Sequence, residues 1–255
     1  MYQFNIFKAT KNQATSLGCL PYMNNFLAVC LTLLAGISSA MAEESVTNVD
    51  PLESINRKIF FFNDTVDIYL AKPVAEGYQT ITPDFIEDGV TNAFDNLWGI
   101  NRIINNALQG EFANAGKETG RFVINTTVGL FGTIDVATKL GMDIYRTDFG
   151  LTLAKWGFSS GAYLVLPLLG PSSVRDGVGV VGSWQLDPVG NLDHVPTRNE
   201  LILGRGISDR ANLLETEKLI TGDKYLFIRD AYLQRRQFLV TGEVPKDDFG
   251  DEDYE

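Results

Sequence analysis

From Leu52 onward, apolar residues return at helical intervals: Leu52, Ile55, Ile59, Phe62, Val66 and then Tyr69 or Leu70. That spacing predicts an amphipathic helix whose apolar stripe faces a core. Asp50 stands as its N-cap, Pro51 occupies the first turn and Glu53 completes a capping-box pattern. Pro73 is expected to end it. Phe60 and Phe61 fall off the stripe and, with Phe62, form three consecutive aromatics. Successive helical residues sit about 100° apart, so the three rings cannot share one face. Rings left outside a core point to a lipid or partner surface. Phe60, Phe61 and Phe62 are therefore the candidates for contact with a lipid membrane or with a partner surface.

Further helices follow the same logic. Thr82-Pro83-Asp84 starts a second, with Ile86, Val90, Leu97, Ile100, Ile103, Ile104 and Leu108 along one side and Gly110 at its end. A third spans 111–127, and a short one is expected near 134–140. Between 148 and 190, glycines at 150, 157, 161, 170, 177, 179, 182 and 190 interrupt apolar runs such as AYLVLPLLG. This texture predicts an irregular, partly extended loop and a helix from about Ser172. Helices over 197–219 and 223–240 close the domain. Arg235 and Arg236 interrupt the apolar side of the last one, with their charged heads expected to reach water. The chain therefore reads as a mainly α single domain over 50–241, with six to eight helical pieces and few strand signals.

The ends differ from this domain. Residues 1–42 read as a signal peptide: Lys8 and Lys11 precede an apolar run from Phe26 to Gly36, and Ser38 to Ala42 supply a small-residue cleavage pattern. The apolar run is short for a membrane-spanning helix, so cleavage after Ala42 is favoured over an uncleaved anchor. Met23 is an alternative start that leaves the run without positive charges. Both cysteines, Cys19 and Cys30, lie in this segment, so the mature chain has no disulfide. Leu27-Ala28-Val29 before Cys30 is a partial lipoprotein box, weakened by the bulky Val29. Residues 43–49 form a polar leader, and 242–255 an acidic tail without core-forming capacity.

Charge and chemistry narrow the function. The formal net charge of −11, without a basic stripe, excludes nucleic acid as a partner class. One histidine and no mature cysteine leave no soft-ligand metal cluster, and no phosphate-binding or dinucleotide fingerprint occurs, so no cofactor is expected. Gly157-Phe158-Ser159-Ser160-Gly161 fits the G-x-S-x-G elbow of serine hydrolases, with His194 downstream. A secreted lipid-active hydrolase using Ser159 and His194 is thus the enzymatic alternative. Pro167 soon after the serine, the missing HGGG-type loop and the absent βαβ alternation argue against it. No catalytic residue is expected.

The opening DPLESINRKIFFFND, the segments Ile104 to Thr138 and Phe149 to Gly179, and YLFIRDAYLQRRQFL resemble, in order, the MlaA/VacJ family of outer-membrane lipid-asymmetry proteins. The resemblance implies a flat, ring-like helical domain lying in the inner leaflet of the outer membrane. It implies an amphipathic channel that takes mislocalised phospholipid from the outer leaflet. A porin trimer would scaffold the domain, and a soluble periplasmic carrier would pass the lipid to an MCE-type ABC transporter. By position within the resemblance, the glycine-rich loop would line the channel, through Phe158, Gly161, Tyr163 and Leu164. Many members are lipoproteins, whereas this signal resembles one cleaved without acylation.

Overall fold

The computed structural model describes residues 50–243. The signal peptide, the leader and nearly all of the acidic tail lie outside them. Helix α1 spans Glu53–Val66, and a five-residue π-helix, Asp67–Ala71, joins it to α2, Lys72–Ile81. Then come α3 (Asp84–Leu108), α4 (Phe112–Thr127) and the short α5 (Val136–Lys139). Helix α6 (Phe149–Lys155) precedes a hairpin of β1 (Tyr163–Leu166) and β2 (Gly170–Ser173). Its strands are antiparallel, with Tyr163 opposite Ser173 and Leu166 opposite Gly170. Helices α7 (Val174–Gln185), α8 (Val195–Asn212), α9 (Leu214–Glu217) and α10 (Lys224–Thr241) complete the domain. The main pairings are α3 on α4, α6 on α7 and α2 on α8.

The polarity of this domain is inverted. Among the described residues, seventeen buried side chains are polar or charged and ten are hydrophobic, four of those being alanine. Thirty-four large hydrophobic side chains are exposed. Asn56, Asn96, Asn101, Asn105, Asn106 and Asn125 are all buried on α1, α3 and α4. A water-soluble domain reverses this ratio, since buried polar groups must be hydrogen-bonded and exposed apolar patches cost free energy. The helical periods predicted from sequence are present, but several stripes face outward: Ile55, Phe62, Ile86 and Phe112 are exposed.

Three expectations are corrected on α1. Pro73 does not end the helical path. The π turn lets the Lys72 amide bond Asp67 O, and α2 starts so that Pro73 lies in its first turn, where no amide donor is required. The N-cap position belongs to Leu52 and not to Asp50. Asp50 is buried, accepting from Asn56 Nδ2 at 2.8 Å and from the Tyr225 hydroxyl. Phe60 turns inward, its ring edge-on to Tyr225 at 5.4 Å, beside the buried cluster of Tyr163, Val165 and Tyr225. A second, smaller cluster joins Ala75, Ala211 and Leu214.

Glu217 anchors the far side. It accepts from Arg210 at 2.6 Å and from Lys224 at 3.1 Å, while Arg210 also grips Asp67 and Lys224 grips Asp64. Burial alone would raise the Glu217 carboxyl, but the hydrogen bonds from Arg210 and Lys224 outweigh it and hold the pKa at about 2, below the ordinary 4.5. A depressed carboxyl contributes stability that is complete above its unfolded pKa and is lost as pH falls through the folded one. Thermal midpoints should therefore fall between pH 4.5 and 2, and Glu217→Gln should flatten that part of the profile. An unchanged slope in the variant would assign the acid sensitivity elsewhere.

Candidate functional site: a charged cleft with apolar walls

Three adjoining cavities run between α3, α6, α7, α10 and the 144–147 segment. The first, about 560 Å³, is lined by Gln109, Glu111, Arg146, Lys155 and Leu239 among others. It shares Arg146, Thr147, Leu151 and Leu239 with a second of about 310 Å³. That in turn shares Trp98, Asp148, Tyr232 and Arg236 with a third of about 260 Å³, which ends at Pro171 and Trp184. Trp98, Leu151, Leu239 and Trp184 supply apolar wall. Trp98 is backed by the Arg205 guanidinium, 4.4 Å from its ring.

One side of the cleft is framed by a charge network. Arg236 on α10 bonds Asp148 at 2.6 and 3.2 Å and Asp176 at 2.8 Å. The Tyr232 hydroxyl donates to Asp176 at 2.6 Å, and Arg175 Nε adds 3.0 Å. Burial pushes the Asp176 carboxyl up, but Tyr232, Arg236 and Arg175 together hold it below the usual range. Asp148 also caps α6 through the Leu151 amide, and Ser173 caps α7 through the Asp176 amide. Arg236 is thus turned inward, correcting the expectation that both basic heads of this pair reach water. The glycine texture has its reason here: a Cβ on Gly179 would stand 2.5 Å from Gly150 N. Helices α6 and α7 cross at backbone contact, and Phe149–Lys155 is helical instead of irregular.

The other side is held by Arg102. It is buried, with Glu118 at 2.8 Å and Asp95 at 2.9 and 3.2 Å. Glu118 also accepts the Tyr145 amide at 2.6 Å, which fixes the segment carrying Arg146.

The residues expected to line a channel are placed apart. Phe158 is exposed at the end of α6. Gly161 has φ +68°, and Val174 packs against it, so it serves a turn. Leu164 is half-buried on β1, and Tyr163, 1% exposed, is a core side chain between Tyr225 and Tyr232. None of the four lines the cleft described here. The residues that do were not singled out by sequence, except that two arginines interrupting an apolar helix side were a visible signal at 235 and 236.

Ser159 does not occupy an elbow. A nucleophile elbow leads from strand into helix; here the motif leads from α6 into β1. His194 is spent on the N-terminus of α8, facing Thr197 Oγ1 at 2.8 Å. Among the described residues no cluster of histidine, cysteine or acidic side chains could hold a metal ion.

The outer surface is apolar at several places. Phe61 is 73% and Phe131 84% exposed, with Phe62, Tyr69, Leu70, Phe85 and Leu168 also uncovered. Leu130, Phe131 and Leu168 hold left-handed backbone at φ 51°, 59° and 61°. Such conformations cost non-glycine residues about 1–2 kcal/mol each, here for side chains that make no core. Among the described residues, no helix is long and apolar enough to cross a membrane.

Residues 48–239 match the family model described as MlaA lipoprotein. The chain belongs to the MlaA lipoprotein family. It is 32% identical over 222 residues to "Intermembrane phospholipid transport system lipoprotein MlaA" of Escherichia coli, covering 85% of this chain and 88% of that protein. The protein of that name in Haemophilus influenzae is 31% identical over 226 residues, covering 82% and 90%. An uncharacterized protein of Rickettsia prowazekii is 34% identical over 195 residues, 75% of this chain and 78% of its own. The fold is similar, at TM-score 0.65 and 31% identity, to a solved structure described as "Structural basis for maintenance of bacterial outer membrane lipid asymmetry". That likeness covers 75% of this chain and 98% of that one. The mainly helical fold expected from the sequence is thus the fold of an MlaA family member.

Proposed function

We propose that this protein removes mislocalised phospholipid from the outer leaflet of the outer membrane, without covalent chemistry, and delivers it toward a soluble periplasmic carrier. The inverted polarity carries this reading. A domain with an apolar exterior and a polar interior suits an apolar medium outside and polar head groups inside. Its place is the periplasmic side of the outer membrane, lying in the inner leaflet. A porin trimer is the proposed scaffold, and an MCE-type ABC transporter the destination beyond the carrier. The relatives from Escherichia coli and Haemophilus influenzae are, by their names, lipoproteins of an intermembrane phospholipid transport system, and that function is transferred here as part of the proposal. The cleft from Gln109 to Trp184 is the proposed lipid path, with Phe158 and Leu164 on the segment beside it.

Attachment is assigned to exposed rings. Burying an aromatic side chain in acyl chains contributes about 1.5–3 kcal/mol. Replacing Phe61 and Phe62 together with serine should lower liposome partitioning by tenfold or more while leaving the thermal midpoint nearly unchanged. A fall in stability with undiminished partitioning would make those rings structural. Phe60, turned inward, should behave in the opposite way.

The decisive comparison is a chromosomal deletion complemented by wild-type or Ser159→Ala protein, with surface-exposed phospholipid and ester cleavage measured together. Deletion should raise surface phospholipid, and both genes should return it to the wild-type level. Serine-dependent hydrolysis would replace this reading with an enzymatic one. Unaltered asymmetry after deletion would remove the transport function.

A further inference from the structure

The chain has eleven arginines and an excess of acid, 32 carboxylates against 21 basic side chains. Eight of the eleven are ion-paired: Arg57, Arg102, Arg121, Arg175, Arg205, Arg210, Arg229 and Arg236. Arg146, Arg198 and Arg235 have no carboxylate partner among the described residues. Two of these three, Arg146 and Arg235, line the same 310 Å³ cavity. They reach it from different elements, Arg146 from the segment before α6 and Arg235 from α10. Arg146 also lines the 560 Å³ cavity, so it stands where the two adjoin. The other two arginines of that cavity, Arg102 and Arg236, are committed to Asp95 and Glu118 and to Asp148 and Asp176. Leu151, Leu239 and Trp98 complete the wall with apolar surface.

In a strongly acidic chain, two uncommitted guanidiniums on one cavity are charge without an internal counterpart. Each offers a planar fork of donors that matches the oxygens of a phosphodiester. The apolar wall beside them suits acyl chains. We propose that Arg146 and Arg235 bind the phosphate of a phospholipid head group as it passes the cleft. The assignment rests on the lipid-path reading above and adds the element of the ligand that is recognised.

The test uses the full chain purified in a phosphate-free detergent. Binding of short-chain phosphatidylglycerol, dioctanoylglycerol and inorganic phosphate is measured for wild type and for Arg146→Gln, Arg235→Gln and Arg198→Gln. Charge-assisted hydrogen bonds lead us to expect a loss of about tenfold in phosphatidylglycerol affinity for each cleft variant, and no change for Arg198→Gln. Dioctanoylglycerol should bind more weakly than the phospholipid and be indifferent to all three substitutions. Thermal midpoints should stay constant, because neither arginine has a folded partner to lose. Phospholipid affinity unchanged in both cleft variants would overturn the head-group site while leaving the lipid path standing. Failure of wild type to bind either lipid would remove the lipid path itself. Inorganic phosphate bound as tightly as the phospholipid would reassign the site to a free anion and overturn the lipid assignment.

Discussion

Replacing Arg102 with leucine should lower the unfolding free energy by about 3–5 kcal/mol, since it strands the charge of a buried partner. Glu118 has 0% side-chain exposure, and Arg102 has 5%. Once the guanidinium is gone, Glu118 keeps, among the described residues, the Tyr145 amide as its one donor. A second substitution, Glu118→Leu, made on top of the first should recover part of the loss, because a buried apolar pair leaves no uncompensated charge. Chemical denaturation of wild type, both single variants and the double variant checks this directly. A single-variant cost below about 1 kcal/mol, the range of exposed ion pairs, would place this pair in contact with water. The consequence reaches the cleft as well. Glu118 positions the segment that carries Arg146, so the Arg102→Leu protein that remains folded should also bind phospholipid less well.

Asn56→Leu should cost about 3 kcal/mol. The buried amide donates to Asp50 Oδ1 at 2.8 Å and to Tyr163 O at 3.0 Å, and it accepts the Val165 amide at 3.0 Å. It is thus a side-chain extension of the two-stranded hairpin, joining β1 to α1. Leucine preserves most of the volume and leaves the Tyr163 carbonyl and the Val165 amide buried without partners. Hydrogen exchange at the Val165 amide should accelerate far more than exchange in α3. Equal acceleration in both would show global destabilisation without a local role for Asn56. Asn63 repeats the device one step along the hairpin, bonding Leu166 O and the Leu168 amide, and its loss should be milder because this site is only partly buried.

The helices themselves could be read from sequence because periodicity survives inversion. Leu52, Ile55, Ile59 and Phe62 mark a helix whichever way the stripe points. Its direction could not be read, because hydropathy carries no sign for the surrounding medium. In water Asn56 and Asn63 belong outside; here they face the hairpin, and Phe61 and Phe62 face out. Pro73 misled for a related reason, since a π turn absorbs a proline that an unbroken α-helix cannot. Helix α6 was hidden by glycines whose purpose, contact between Gly150 and Gly179, exists only after α7 has docked. The site was legible only as an anomaly. Arg235 and Arg236 interrupt an apolar helix side, but their separate fates, one locked to Asp148 and Asp176 and one left open, depend on residues more than 50 positions away.

Lipid passage through the cleft is tested most directly at Leu239, which borders both the 560 Å³ and the 310 Å³ cavities of the cleft. A photo-crosslinking amino acid placed there, in living cells, should yield a phospholipid adduct, as should the same group at the exposed Phe61. Adducts at both positions are expected if lipid lies around the domain and also passes through it. An adduct at position 61 without one at 239 would confine the lipid to the outer surface and contradict the proposed path.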